Sequence, residues 1–344
     1  MGGKQGRGQI YVSTPENSTV IAGESINCTA HLILNDKIKS PSLRMVFKGK
    51  EEATFQGDGV KKAKNNIIEF SETLLDPSLN LLNPGAYSFP FTIELPNDLP
   101  GTFNAKMKRF EARIEYEVKV ELIERREFIC KDKVFIIVEQ VLGSNRQSIL
   151  KTQTDRLVCC DCINKGTCNV SAHVDKHAYL PGETARLWME VDNSKASKNL
   201  VSIGVILWRV IRLISTDKQV GLFKKSVFST NLNVNIRANS DPLKNKDLCI
   251  DIPICSKDTN IEQCVTTIGK AVQCRYFIEI STDFGSCMSR VVEFEIPLIV
   301  APKAIEVVLP SAPEDWNPME MPVMNISIGP QNVSIIDRSS LSYQ

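Results

Sequence analysis

The sequence predicts an all-β protein of two tandem antiparallel, immunoglobulin-like sandwich domains with little helix, and three observations carry that reading. Apolar stretches are short and alternate with polar residues, turn-forming clusters separate them at short intervals, and the second half of the chain repeats landmarks of the first.

The alternation is plain in Ile26 to Leu34, Tyr87 to Leu95, Arg113 to Ile123 and Val134 to Val138, all rich in residues that suit a half-buried pleated surface. Between such runs stand Asn83-Pro84-Gly85, Pro96-Asn97-Asp98, Pro100-Gly101, Pro181-Gly182 and Asn239-Ser240-Asp241-Pro242, which are turn chemistry. Capped segments with a 3.6-residue apolar period are largely missing, and Asp155 to Cys162 is too short to count as one.

The repeat has three collinear landmarks. Gly23-Glu24 and Pro181-Gly182-Glu183 each precede an alternating run, and Gly23 and Gly182 are 159 residues apart. Tyr116 and Tyr276 are 160 apart, and Pro96 and Pro253 are 157 apart. The physical sense is a turn with glycine at positive φ, a glutamate leading out, and a strand entering a sheet, used once per sandwich. The expected organisation is a first domain over 1–141, a linker over 142–153, a second domain over 154–308 and a flexible C-terminal tail over 309–344, mobile or draped on a sheet.

The bulk numbers fit. A chain of 344 residues suits two domains of roughly 150 residues each. Lys and Arg total 41 against 40 for Asp and Glu, so a net charge of +1 supplies no field to gather nucleic acid. Met1 to Gln9 carry no apolar core of a secretory signal, and no later run reaches spanning length, so a cytoplasmic protein is expected. Its eleven cysteines are then thiols, and the sequons at Asn17, Asn27, Asn169, Asn325 and Asn332 stay unmodified.

Ala22-Gly23-Glu24, Gly85 to Phe91 leading to Leu95-Pro96, Ala112 to Val118, the Cys159-Cys160-Asp161-Cys162 cluster, Tyr179 to Glu183, Val191 to Ser194 and Glu293 to Val300 together resemble the arrestin fold proteins. Within them the arrestin-domain-containing, or α-arrestin, branch is most similar. The resemblance implies a non-enzymatic adaptor or scaffold that binds cytosolic tails of membrane receptors or transporters. It would couple them to endocytosis, sorting or ubiquitination, moving from the cytoplasm to plasma membrane or endosomes, and would need no cofactor. Gly23, Glu24, Pro96, Tyr116, Pro181, Gly182, Glu183 and Tyr276 are its structural positions. One departure stands out: no Pro-Pro-x-Tyr, through which such proteins recruit ubiquitin ligases, occurs in the chain. A retromer-like coat subunit in endosomal transport is the alternative, and a thiol- or zinc-dependent regulator the second.

Other candidate sites have plainer accounts beside them. Cys159, Cys160, Cys162 and Cys168 supply the four thiols a structural zinc requires, but adjacent Cys159 and Cys160 do not easily face one ion, so no metal is expected. Gly2 begins as a myristoylation substrate would, although Gly6 stands where Ser or Thr is preferred and a Gly-rich leader explains the segment. Lys48, Lys50, Lys61, Lys62 and Lys64 flank Glu51 to Asn66, read as a solvated hairpin loop that could meet anionic lipid or phosphate. Arg209, Arg212, Lys218, Lys224 and Lys225 make a similar hint around Trp208, itself read as core. His31, His173 and His177 lie in no catalytic setting, so enzyme chemistry has nothing to work with.

Overall fold

The computed structural model describes residues 6–14, 19–75, 80–142, 149–160, 163–242, 248–254, 264–285, 288–302 and 317–328. Among them there is no α-helix, and hence none long and apolar enough to cross a membrane.

The N-terminal sandwich comprises β1 (Gly8–Ser13), β2 (Thr19–Ile21), β3 (Ser25–Leu34), β4 (Ile38–Lys39), β5 (Pro41–Gly57), β6 (Gly59–Thr73), β7 (Leu81–Leu82), β8 (Gly85–Glu94), β9 (Phe103–Met107), β10 (Phe110–Glu124) and β11 (Glu127–Glu139). One sheet runs β1-β3-β8; the other runs β2-β11-β10-β5-β6, with β9 on β10 and a small β4-β7 pair beside them. Strict alternation builds the facing layers, as in β5, where Leu43, Met45 and Phe47 are buried and the residues between them half-exposed.

The C-terminal sandwich repeats the plan. It comprises β12 (Leu150–Cys159), β13 (Ile163–Val174), β14 (Ala178–Tyr179), β15 (Thr184–Ala196), β16 (Leu200–Ile214), β17 (Val220–Ile236), β18 (Leu248–Pro253), β19 (Thr267–Ile268), β20 (Val272–Asp283), β21 (Met288–Arg290) and β22 (Glu293–Val300). Its sheets run β18-β15-β13-β12-β21 and β14-β22-β20-β16-β17, with β19 on β20. Each sandwich contains one equivalent short parallel pair, β2 with β11 and β14 with β22; apart from the tail strands the other pairings are antiparallel. β12 opens at Leu150, within the segment expected to be linker. Two further strands, β23 (Met319–Glu320) and β24 (Met324–Ser327), belong to the C-terminal tail and join the first sheet of the N-terminal sandwich at β8.

The stretch Glu51 to Asn66, expected as a loop, is strand on both sides. β5 and β6 stay paired down to Gly57 and Gly59, leaving Asp58 alone at the tip. Buried Ala53, Phe55 and Ala63 hold the hairpin down, because their face packs inward while Lys48, Lys50, Lys62 and Lys64 stay on the outer one; Lys61, opposite Phe55, shares the inward face and reaches Asp217 of the other sandwich.

Candidate functional site: a strand edge and a fastened domain interface

The repeated landmarks are turn and corner devices. Gly23 has φ +92° and Gly182 φ +93°, a region that favours glycine. The following glutamate closes each turn by accepting a backbone N–H three residues earlier: Glu183 Oε2 from Leu180 at 2.9 Å, and Glu24 Oε2 from Ile21 at 3.4 Å. That bond and the neighbouring Lys176 hold the Glu183 carboxyl below its ordinary range. Leu95 N–H donates to Glu24 O, and Ile254 N–H to Glu183 O, so β8 and β18 exit alike; Pro96 follows Leu95 whereas Pro253 precedes Ile254 and aligns with Glu94, so the two prolines mark the same exit two positions out of step. Buried Tyr116 donates its hydroxyl to Pro100 O at 2.7 Å, and buried Tyr276 to Cys264 O at 2.5 Å. Thr102 Oγ1 accepts from Val138 N–H, and Thr266 Oγ1 from Val300 N–H. All these groups are internally satisfied, which makes them scaffold.

The β8 edge differs, because there the sheet takes in a segment remote in sequence. β24 lies parallel to β8 with Met324 opposite Phe91, Asn325 opposite Thr92, Ile326 opposite Ile93 and Ser327 opposite Glu94. Ile326 is 3% exposed, and Met324, Met321 and Ile328 pack against the core, while Asn325 and Ser327 point out. Burying Ile326 contributes about 1.5–3 kcal/mol and each hydrogen bond about 1 kcal/mol. Ordering a free tail costs about 1–2 kcal/mol per residue in backbone entropy. Over a four-residue strand these terms are of similar size.

The two sandwiches are fastened together through the other sheet, at β5 and β10. Glu51, on β5, is 1% exposed, and its Oε1 accepts Val272 N–H of the C-terminal sandwich at 2.7 Å while Oε2 accepts from Asn65 Nδ2 at 3.2 Å. Burial pushes its carboxyl above the ordinary range, against the opposing pull of the Val272, Ala271 and Lys270 amides and Asn65. Gly269 is required here, since a Cβ would sit 2.1 Å from Glu51 Oε1. Gln140 adds a reciprocal pair, accepting Ile268 N–H at 2.7 Å and donating to Ile268 O at 3.2 Å. Phe223 packs on Phe110, with ring centroids 4.5 Å apart, and edge-on to Phe55.

The residues singled out from sequence are dispersed. Lys48 pairs with Glu69, Lys50 with Glu115, Lys61 with Asp217 across the domain interface and Lys64 with Glu52, so four of the five cations are already matched. The backbone of Lys62 accepts from Thr216 of the other sandwich. Cys159 and Cys160 touch, with sulfurs 3.6 Å apart. Cys168 is buried opposite Asp155, four positions or about 13 Å along β12 from Cys159. Burial pushes its thiol up to about 12, and among the described residues no three potential ligands converge. Cys162 and Gly2 lie outside the described residues.

Trp208 and Arg209 exchange the places expected of them. Trp208 is half-buried, with Lys224 Nζ 4.0 Å from its ring centroid, whereas Arg209 is 1% exposed and faces inward beside Tyr276. His173 stacks on Trp188, and His31 Nε2 bonds Ser13 Oγ at 2.9 Å, both structural contacts. Sequence reasoning missed the role of Glu51, and it offered a tail draped on a sheet without naming the strand or the edge it joins. The available signals were the place of Glu51 in the inward alternation of β5 and the spacing of Met324, Ile326 and Ile328.

Comparison with known proteins agrees with this architecture. The family model "Arrestin (or S-antigen), N-terminal domain" matches residues 8–143, and "Arrestin (or S-antigen), C-terminal domain" matches residues 164–304. Arrestin domain-containing protein A of Dictyostelium discoideum is 24% identical over 341 residues, covering 90% of this chain and 54% of that protein. Arrestin domain-containing protein 5 of Homo sapiens is 24% identical over 208 residues, covering 56% of this chain and 59% of that protein. The chain therefore matches between half and three-fifths of the length of these curated relatives. With both domains matched in order on two sandwiches of the same plan, the chain belongs to the arrestin family.

Proposed function

We propose that this protein is a non-enzymatic adaptor. It captures an extended cytosolic segment of a membrane receptor or transporter as an added strand on the β8 edge and couples that cargo to sorting or endocytosis. The supporting observation is that β8 already holds a remote segment, residues 324–327, in strand form with one buried isoleucine. Main-chain hydrogen bonds would supply affinity and alternate side chains specificity. The work of such a protein is binding, carried by the scaffold and its edges, and its site is cytoplasmic with recruitment to plasma membrane or endosomes.

The test is proximity labelling in native cells, comparing the full chain with one ending at Val308. Receptors or transporters should be recovered transiently with the full chain and several-fold more with the shortened one. A constant, stoichiometric set of coat subunits without membrane cargo contradicts the adaptor reading.

A further inference from the structure

We infer that the β8 edge selects a parallel peptide strand by alternating aliphatic side chains, and that it does so without phosphate. This rests on the adaptor reading and states which chemical class of segment the edge would take.

The tail is the template. Residues paired in register share a face, so Ile326 extends the buried row of Ile26 and Ile93, and Met324 the row of Cys28 and Phe91. Ile328, one pleat further, also packs on the core, while Asn325 and Ser327 project to solvent. The bound pattern is therefore aliphatic at every second position, three times, with small polar residues between. Only the main chain and one side-chain face are read, so any segment of that pattern satisfies the same contacts.

Charge excludes a phosphate code at this edge. Strands β1, β3 and β8, the rest of the sheet, contain no lysine or arginine. The acidic residue of β8 is Glu94, opposite Ser327, so a phosphate on a residue docked there would face a carboxylate. The lysines that could read phosphate stand on β5 and β6 of the opposite sheet, and four of the five considered are ion-paired.

The experiment is fluorescence anisotropy with a labelled synthetic peptide carrying the sequence of residues 317–328, titrated with the full chain and with full chain bearing Ile326→Ser. The substitution loosens the resident strand and should leave the sandwiches intact, which an unchanged thermal midpoint verifies. The probe should bind the variant at least about tenfold more tightly than the unaltered chain, the factor one buried aliphatic side chain supplies. A probe with serine at the position of Ile326 should lose about the same factor. Phosphate on the residue equivalent to Ser327 should weaken binding, and Glu94→Lys added to the variant should turn that loss into a gain. Equal binding of the serine probe, tighter binding of the phosphorylated probe with Glu94 in place, or no binding to the variant overturns the inference. If the probes fail while cells still yield receptors or transporters, this inference alone falls. If the probes behave as expected and no cargo is recovered, the adaptor reading falls.

Discussion

Gly49 and Arg209 occupy equivalent positions in the two sandwiches, each directly across from a buried tyrosine, Tyr116 in one and Tyr276 in the other. The 160-residue step between those tyrosines also carries Glu51 onto Ile211. Where strands enter and leave the sheets the two domains agree, down to the glutamate-closed turns, tyrosine hydroxyls and threonine caps. They differ on the inward face of one central strand. The N-terminal sandwich removes a side chain at Gly49, because Tyr116 fills that space, and sends a carboxylate from Glu51 across to its neighbour. The C-terminal sandwich keeps a guanidinium beside its tyrosine and an aliphatic core residue at Ile211. The edges differ too: ten-residue β8 receives the tail, whereas six-residue β18 gains no further strand among the described residues. A common frame thus carries unlike surfaces, with the joining and docking chemistry on the N-terminal copy.

The largest expected effect separates Glu51 from Ile211. Glu51→Ala leaves buried amides of the 270–272 turn without an acceptor and should cost about 2–4 kcal/mol. Ile211→Ala opens a cavity and should cost about 2–5 kcal/mol. Only the first should uncouple the domains, so denaturant unfolding should split into two transitions for Glu51→Ala and remain single for Ile211→Ala. A split in both, or in neither, breaks the comparison.

A smaller contrast lies at the tyrosines. Gly49→Ala places a Cβ 2.6 Å from the Tyr116 ring and 2.9 Å from Ile68, and should destabilise by about 1–3 kcal/mol. Arg209→Met removes a buried guanidinium whose Nη1 finds no hydrogen-bond partner among the described residues, and should shift stability by no more than about 1 kcal/mol in either direction. Thermal midpoints of the two variants check the order.

The smallest effect is a pH dependence. The Glu51 carboxyl titrates higher in the folded protein than in the unfolded chain. The folded state therefore holds a proton that the unfolded chain has already released, and the associated stability is full below the unfolded value and lost as pH rises through the folded one. Relative to Glu51→Gln, the unaltered chain should lose stability across that window and run parallel on either side. A gain in stability of the unaltered chain relative to Glu51→Gln as pH rises contradicts the assigned direction.

The frame was readable from sequence because turns and alternation are local. Glycine at positive φ, a following glutamate and a period of two need no tertiary context. The errors fall where context decides. Leu200 to Ile214 is apolar on both faces, so the phase that turns Trp208 outward and Arg209 inward was hidden. Ala53 and Ala63 are too small to announce a buried face, which let the charged hairpin pass for a loop. Glu51 passed as part of a solvated loop between lysines, because nothing local reveals the backbone amides 221 residues away that receive it. The tail strand is too short to show a period by itself, and its role comes from the edge it meets.

The central claim is that β8 is a cargo-docking edge, and a photocrosslinking residue at Thr92 tests it most directly. Thr92 lies on the outer face of β8, opposite Asn325, so a crosslinker there reports whatever strand occupies the edge. In native cells the full chain should crosslink to its own tail and to cytosolic segments of membrane receptors or transporters, and Ile326→Ser should shift the balance several-fold toward the latter. Crosslinks confined to the tail in both forms, or unchanged by the substitution, would contradict the account.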